Sequence, residues 1–352
     1  MLGNPFGTGP SSAMARDEMS PGEQNSRATK AWHPTLVVAD QNGNQGSVLV
    51  FADAGKTLKR MVNVGDVVYG LTADNAGNLF VGSGDSDYRG NQVLGAYKKA
   101  GAKLVQTLKQ NRPFENPTLD SSQNLYVICN SRSVCEYQAT TKTLVKKGII
   151  RRLTIYANSP LALAADSTGD IAVMQGTEVD VYAPGATTPF WIVSDHELQG
   201  GMAFDSAGNL YVASGERESG LSTISEYAPG QTTPTRILSD PEGPLATVLQ
   251  TDAGNNLYAF SPTCSKCPPP AIAVFSPNVS SPTRVITSGI ESFKDQGVNM
   301  AVDPSGGVFI DDAGAGTANL AVYAPNQESP LRVISNVQAP TYLTTIPSSA
   351  TP

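Results

Sequence analysis

The chain has 352 residues, 24 basic against 31 acidic side chains, a net charge of −7, and two histidines, His33 and His196. A nucleic-acid binder needs a basic surface to release counterions, so nucleic acid is excluded as the main partner, and two histidines cannot build a multi-histidine metal centre. Charged residues at 16%, with 33 glycines and 25 prolines, suit an all-β chain with many turns.

Residues 1–31 are small and polar and read as a disordered N-terminal tail or the remnant of a trimmed leader. No apolar run approaches the roughly 18 residues of a membrane helix, so no membrane span is expected, and no signal-peptide core is visible. Trp32 and His33 stand where they would pin the start of the fold. The first strand predicted is TLVVAD, ending at Asp40. It matches the second strand of the repeats that follow, and nothing before it matches their first.

Six copies of one element come next: DNAGNLFV from Asp74, DSSQNLYV from Asp120, DSTGDIAV from Asp166, DSAGNLYV from Asp205, DAGNNLYA from Asp252 and DPSGGVFI from Asp303. The aspartates are 46, 46, 39, 47 and 51 residues apart. An apolar strand leads into each Asp, whose carboxylate can accept backbone N–H bonds two residues on. In the copy from Asp205, Gly208 supplies the positive φ that closes the hairpin, and the alternating run after it is a second strand. A third strand ends in an aromatic: Phe51, Tyr97, Tyr137, Tyr182, Tyr227, Phe275 and Tyr323. In the later repeats a proline turn stops it, because proline donates no ladder hydrogen bond, and a fourth strand such as TRIL or TRVI follows. Four antiparallel strands every ~40–50 residues make one propeller blade.

Seven aromatics against six Asp turns leave one blade short of a first strand. The segment TYLTTI, from Thr341, is a first strand with no blade after it. Joining the two predicts a seven-bladed propeller of four-stranded antiparallel blades over 32–347, its first blade closed by the C-terminal strand, with a short tail at 348–352. Truncation after about Pro340 should open the ring.

Four cysteines form two close pairs. Cys129 and Cys135 flank a hairpin loop and can face each other across adjacent strands at the ~5.5 Å Cα spacing a disulfide needs; Cys264 and Cys267 form CSKC. Two local disulfides are expected, which would place the protein outside the cytoplasm, periplasmic or secreted. Free thiols, or a four-thiolate zinc site if the pairs converge, are the alternatives.

The stretch DSAGNLYVA from Asp205, followed by an aromatic-ended strand, resembles the NHL-repeat propellers over nearly all of the ordered chain. That resemblance implies a binding scaffold, since the family includes scaffolds, protein-binding and RNA-binding modules. Looser relatives are lactonases of the gluconolactonase type, with a central divalent cation on Glu, Asn and Asp, and a streptogramin lyase with a catalytic histidine. His196-Glu197 is the one pair comparable with the lyase, and neighbours on a strand point to opposite faces.

In a propeller the loops from fourth to first strands and from second to third strands share one face, the top; the Asp and proline turns lie at the bottom and are structural. The top loops carry fifteen acidic side chains against six basic. The ligand-binding candidates are Asp66, Glu115, Asp195, Glu197, Asp240, Glu242, Glu291 and Asp295. A negative rim attracts cations or a basic protein or peptide. Asp85 and Asp87 resemble half a calcium loop, but the run DSDYRG departs from the full pattern. No nucleophile or phosphate-binding motif is present, so no catalytic residue is assigned. The expected function is a non-enzymatic binding scaffold with an acidic top face and no cofactor, calcium being the one left open. The alternative is a calcium-type, lactonase-like hydrolase at the channel mouth.

Overall fold

The structure, a computed structural model, describes residues 32–347 apart from 44, 66, 87–89, 130–132, 140–143, 152–161, 195–197, 216–221, 240–245, 262–268, 291–298, 313–317 and 336. The described residues hold strands and no helix, so none is long and apolar enough to cross a membrane.

From His33 onward the chain forms one unit of seven four-stranded antiparallel blades. The first holds β1 (Thr35–Asn42), β2 (Gln45–Ala52) and β3 (Thr57–Gly65); the second β4 (Val67–Ala73), β5 (Leu79–Gly84), β6 (Gln92–Lys98) and β7 (Lys103–Gln110). The third holds β8 (Glu115–Leu119), β9 (Asn124–Cys129), β10 (Ser133–Ala139) and β11 (Leu144–Arg151); the fourth β12 (Leu163–Ala165), β13 (Ile171–Gln175), β14 (Glu178–Tyr182) and β15 (Trp191–Ser194). The fifth holds β16 (Leu198–Phe204), β17 (Leu210–Gly215), β18 (Ser222–Tyr227) and β19 (Arg236–Ser239); the sixth β20 (Val248–Thr251), β21 (Leu257–Ser261), β22 (Ala271–Phe275) and β23 (Arg284–Ile286). The seventh holds β24 (Met300–Val302), β25 (Val308–Asp312), β26 (Asn319–Tyr323) and β27 (Arg332–Ile334). The last strand, β28 (Pro340–Ile346), returns to the first blade and pairs antiparallel with β1, Val38 opposite Leu343 and Leu36 opposite Thr345. The expected clasp is therefore present.

The inner strands β28, β4, β8, β12, β16, β20 and β24 touch in cyclic order, and β24 meets β28 again. Blades bury their faces on one another. Met174, Val181 and Trp191 of the fourth blade pack with Met202, Phe204 and Val212 of the fifth; Phe260 and Ile272 of the sixth pack with Met300 and Ile310 of the seventh. This is why the middle strands are apolar on both sides, as in β21 and β22, where every residue is buried.

The Asp turns work as their sequence suggests, with one addition. Asp205 Oδ1 accepts from the N–H groups of Ala207 and Asn209, both at 2.9 Å. Its Oδ2 accepts from Asn209 Nδ2 at 2.8 Å and from the Tyr211 hydroxyl at 3.2 Å. Asp252 repeats the set with Gly254, Asn256 and Tyr258. The tyrosine six residues after the Asp thus completes the turn. Burial, then the nearby carboxylate, push the Tyr211 and Tyr258 phenols well above their ordinary range, so both remain donors.

Candidate functional site

The seven inner strands enclose a central cavity of about 310 Å³. Its described lining is neutral throughout: apolar residues such as Leu71, Met202 and Leu249, hydroxyls such as Thr72, Thr118 and Thr344, and the amides of Asn116, Gln250 and Asn299. Close strand approach narrows it. A Cβ at Gly201 would lie 2.7 Å from the backbone nitrogen of Leu249, so only glycine lets β16 press against the start of β20.

Two of the amides bind the ring together. Gln250 Nε2 donates to Met300 O at 2.9 Å, and its Oε1 accepts from Val302 N–H at 2.7 Å, which clamps β20 to β24. Asn299 Nδ2 donates to Thr341 O on β28. These groups satisfy backbone positions that no blade ladder reaches.

Of the eight top-face candidates only Glu115 lies within the described residues. It opens β8, next in sequence to the channel-lining Asn116, and burial raises its carboxyl above the ordinary value. Asp66, Asp195, Glu197, Asp240, Glu242, Glu291 and Asp295 lie outside the described residues, as do Asp87, Cys264, Cys267 and His196. Asp85 folds its own loop: its Oδ2 accepts from Asn91 N–H at 3.2 Å, and its carbonyl accepts from the Tyr69 hydroxyl at 2.6 Å and Gln92 Nε2 at 3.1 Å. Asp40 and Asp311, two further acids that the strand pattern assigns to the top loops, are buried rather than displayed. Asp40 Oδ1 accepts from the N–H groups of Gln338 and Ala339, both at 2.8 Å, and so ties the closing strand to β1.

A lactonase-type cation needs several carboxylate and amide oxygens converging on one point. The described channel residues do not fit that set. None is a carboxylate, and the Gln250 oxygen already accepts from a backbone N–H. Among the described residues no three or more His, Cys, Asp or Glu side chains gather as a metal site.

The Cys129–Cys135 disulfide forms as expected, with its Cα atoms 5.9 Å apart, and closes the loop between β9 and β10. Trp191, where other blades carry Arg, is buried and donates from Nε1 to Gln231 O at 2.7 Å.

No family model matches the chain, and no curated protein does. Solved structures do. A functionally unknown protein from Desulfotomaculum acetoxidans DSM 771 superposes with a TM-score of 0.65 at 11% identity, over 88% of this chain and 98% of that one. The dihydro-heme d1 dehydrogenase NirN, in complex with DHE, superposes with a TM-score of 0.55 at 10% identity, over 89% of this chain and 75% of that one. At such identities the likeness establishes the fold alone.

Proposed function

We propose that the protein is a non-enzymatic binding module, a rigid seven-bladed ring that holds a protein or peptide partner of basic character on its acidic top loops. The observation that supports this reading most is the neutral channel wall. The deep cavity, where a propeller enzyme would keep its chemistry, is lined by apolar groups, hydroxyls and amides, and two of those amides hold neighbouring strands. Charge is concentrated instead in the top loops of the sequence. The resemblance to NHL-repeat propellers, carried by DSAGNLYVA from Asp205, supports a scaffold as well. The disulfide supports an oxidising compartment, periplasmic or secreted.

The test is capture of a deca-lysine peptide by the full chain, with and without the double variant Asp195→Lys, Glu242→Lys. We expect salt-sensitive binding that weakens about tenfold in the variant. Binding that ignores both salt and the reversals would refute the acidic-face reading. A second reading, a calcium-type lactonase at the channel mouth, draws on Glu115, which opens β8 next to the channel amide of Asn116. Stoichiometric calcium, with lactone hydrolysis lost on chelation, would favour it over the scaffold.

A further inference from the structure

The blades differ in how much open edge they leave. In the fourth to seventh blades the outer strands β15, β19, β23 and β27 are three or four residues long, too short to template another chain. β7 is eight residues long, stands last in the second blade and pairs only with β6. Its register slips once, at Val105, and runs regularly from Gln106 to Gln110. A long open edge offers its backbone N–H and C=O groups to an added strand, and the side chains on it decide which strand is accepted.

Register fixes which way the lysines around this edge face. Ala96 packs in the core shared by the second and third blades. Lys98 follows two residues on, and Lys103 stands opposite Lys98, so both face the third blade. From the third blade, Lys146 of β11 stands opposite Tyr137, which packs in the same core, so it faces back towards them. Gln106 joins the two sides: its Nε2 donates to Leu144 O at 3.2 Å, and its Oε1 accepts from Leu144 N–H. Lys109 takes the other face of β7. It stands opposite Val93, which shares a face with Tyr97, and Tyr97 packs towards the first blade.

Lys103, Lys109 and Lys146 are exposed. Among the described residues no carboxylate lies within ion-pair distance of these three or of Lys98. Lys98 and Lys103 are like charges directly opposite each other, which destabilises a strand pair until an anion offsets them. The chain as a whole carries a net charge of −7, so this concentration of unpaired cations runs against its composition. Lysine on an edge repels a second copy of the same edge. The same charges, on both faces of one open strand, complement an extended chain of the opposite sign.

We propose that β7 takes up an extended acidic peptide as a fifth strand of the second blade. The peptide backbone pairs with Gln106–Gln110, and its carboxylates meet Lys103 and Lys146 on one face and Lys109 on the other. The site lies on an outer strand and is independent of the function proposed for the top loops.

Fluorescence anisotropy of a labelled deca-glutamate peptide with the full chain tests it. Saturable one-to-one binding that weakens as salt rises is expected. Lys103→Glu and Lys109→Glu should each weaken it about tenfold, while Lys56→Glu, at an exposed lysine of the first blade, leaves it unchanged. All three side chains are exposed, so the variants read binding and not folding. A deca-glutamate N-methylated at every residue keeps each carboxylate but has no N–H to donate, and should bind about tenfold more weakly. The proposal is overturned if the peptide does not saturate, if either reversal on β7 binds it like the parent chain, or if the methylated peptide binds as well as the plain one. Binding to phosphatidylserine vesicles with no peptide bound would assign these lysines to a membrane surface and overturn it too.

Discussion

At Asp205 one carboxylate serves two backbone N–H groups, an amide and a phenol, in a turn that has no room for water to replace it. Asp205→Ala should therefore lower stability by about 3 kcal/mol, and Tyr211→Phe by about 1 kcal/mol, read as shifts of the urea midpoint at constant slope. Glu115 behaves in the opposite sense. Its native carboxyl holds a proton more tightly than in the unfolded chain. The stability this lends is complete below the ordinary carboxyl value and is lost as pH rises through the raised native one. Glu115→Gln should raise the urea midpoint at neutral pH, and the gain should vanish on acidification; an equal gain at both would show that the charge is not the cause. The turn aspartates were legible in the sequence because they recur at blade spacing before an apolar strand, most with a glycine or asparagine in the turn. The channel amides were not. Gln250 stands two residues before Asp252 and Asn299 four before Asp303, but the same columns hold Ala203 and Gly201 in the fifth blade, so no repeated letter marks them.

Strands and turns carry the next level of information. The fourth through seventh blades join their third and fourth strands through the proline turns visible in the sequence, and their outer strands are short. The first two blades use tight turns instead, with positive φ at Asp53, Ala54 and Gly55 and at Lys99, Ala100 and Gly101. Their outer strands, β3 and β7, are nine and eight residues long. These strands lack the Pro-Thr-Arg signature and were invisible as repeats, although the blade count implied them. Gly55→Ala forces a methyl group into Ile334 at a left-handed backbone position. It should cost about 2 kcal/mol, read by thermal unfolding, and Ile334→Val in the same chain should restore part of the loss. The Cys129–Cys135 bridge spans a separation of only six residues. Replacing both cysteines by alanine should lower stability by about 2 kcal/mol, a difference from the parent that disappears when urea unfolding is run under reducing conditions.

For the whole molecule, the closed circle was legible because one blade lacked a first strand at one end of the chain and a spare one stood at the other. That inference needed only the alternation of strands, and β28 beside β1 is its outcome. The top face was legible only as charge. Sequence assigns acid to its loops, but a loop has no ladder to fix where a side chain goes, and two of the rim carboxylates turn inward to build the fold. Asp40 is the clearest case: counted among the rim acids, it holds Gln338 and Ala339 against the first blade across almost the whole length of the chain. The top-to-bottom map and the neutral channel both presuppose that β28 completes the first blade. Hydrogen exchange of the β1 amides, Thr35–Asn42, in the full chain and in one ending at Ala339 tests this most directly. The closed ring requires strong protection in the full chain and its loss on truncation; β1 amides equally protected in both would contradict it.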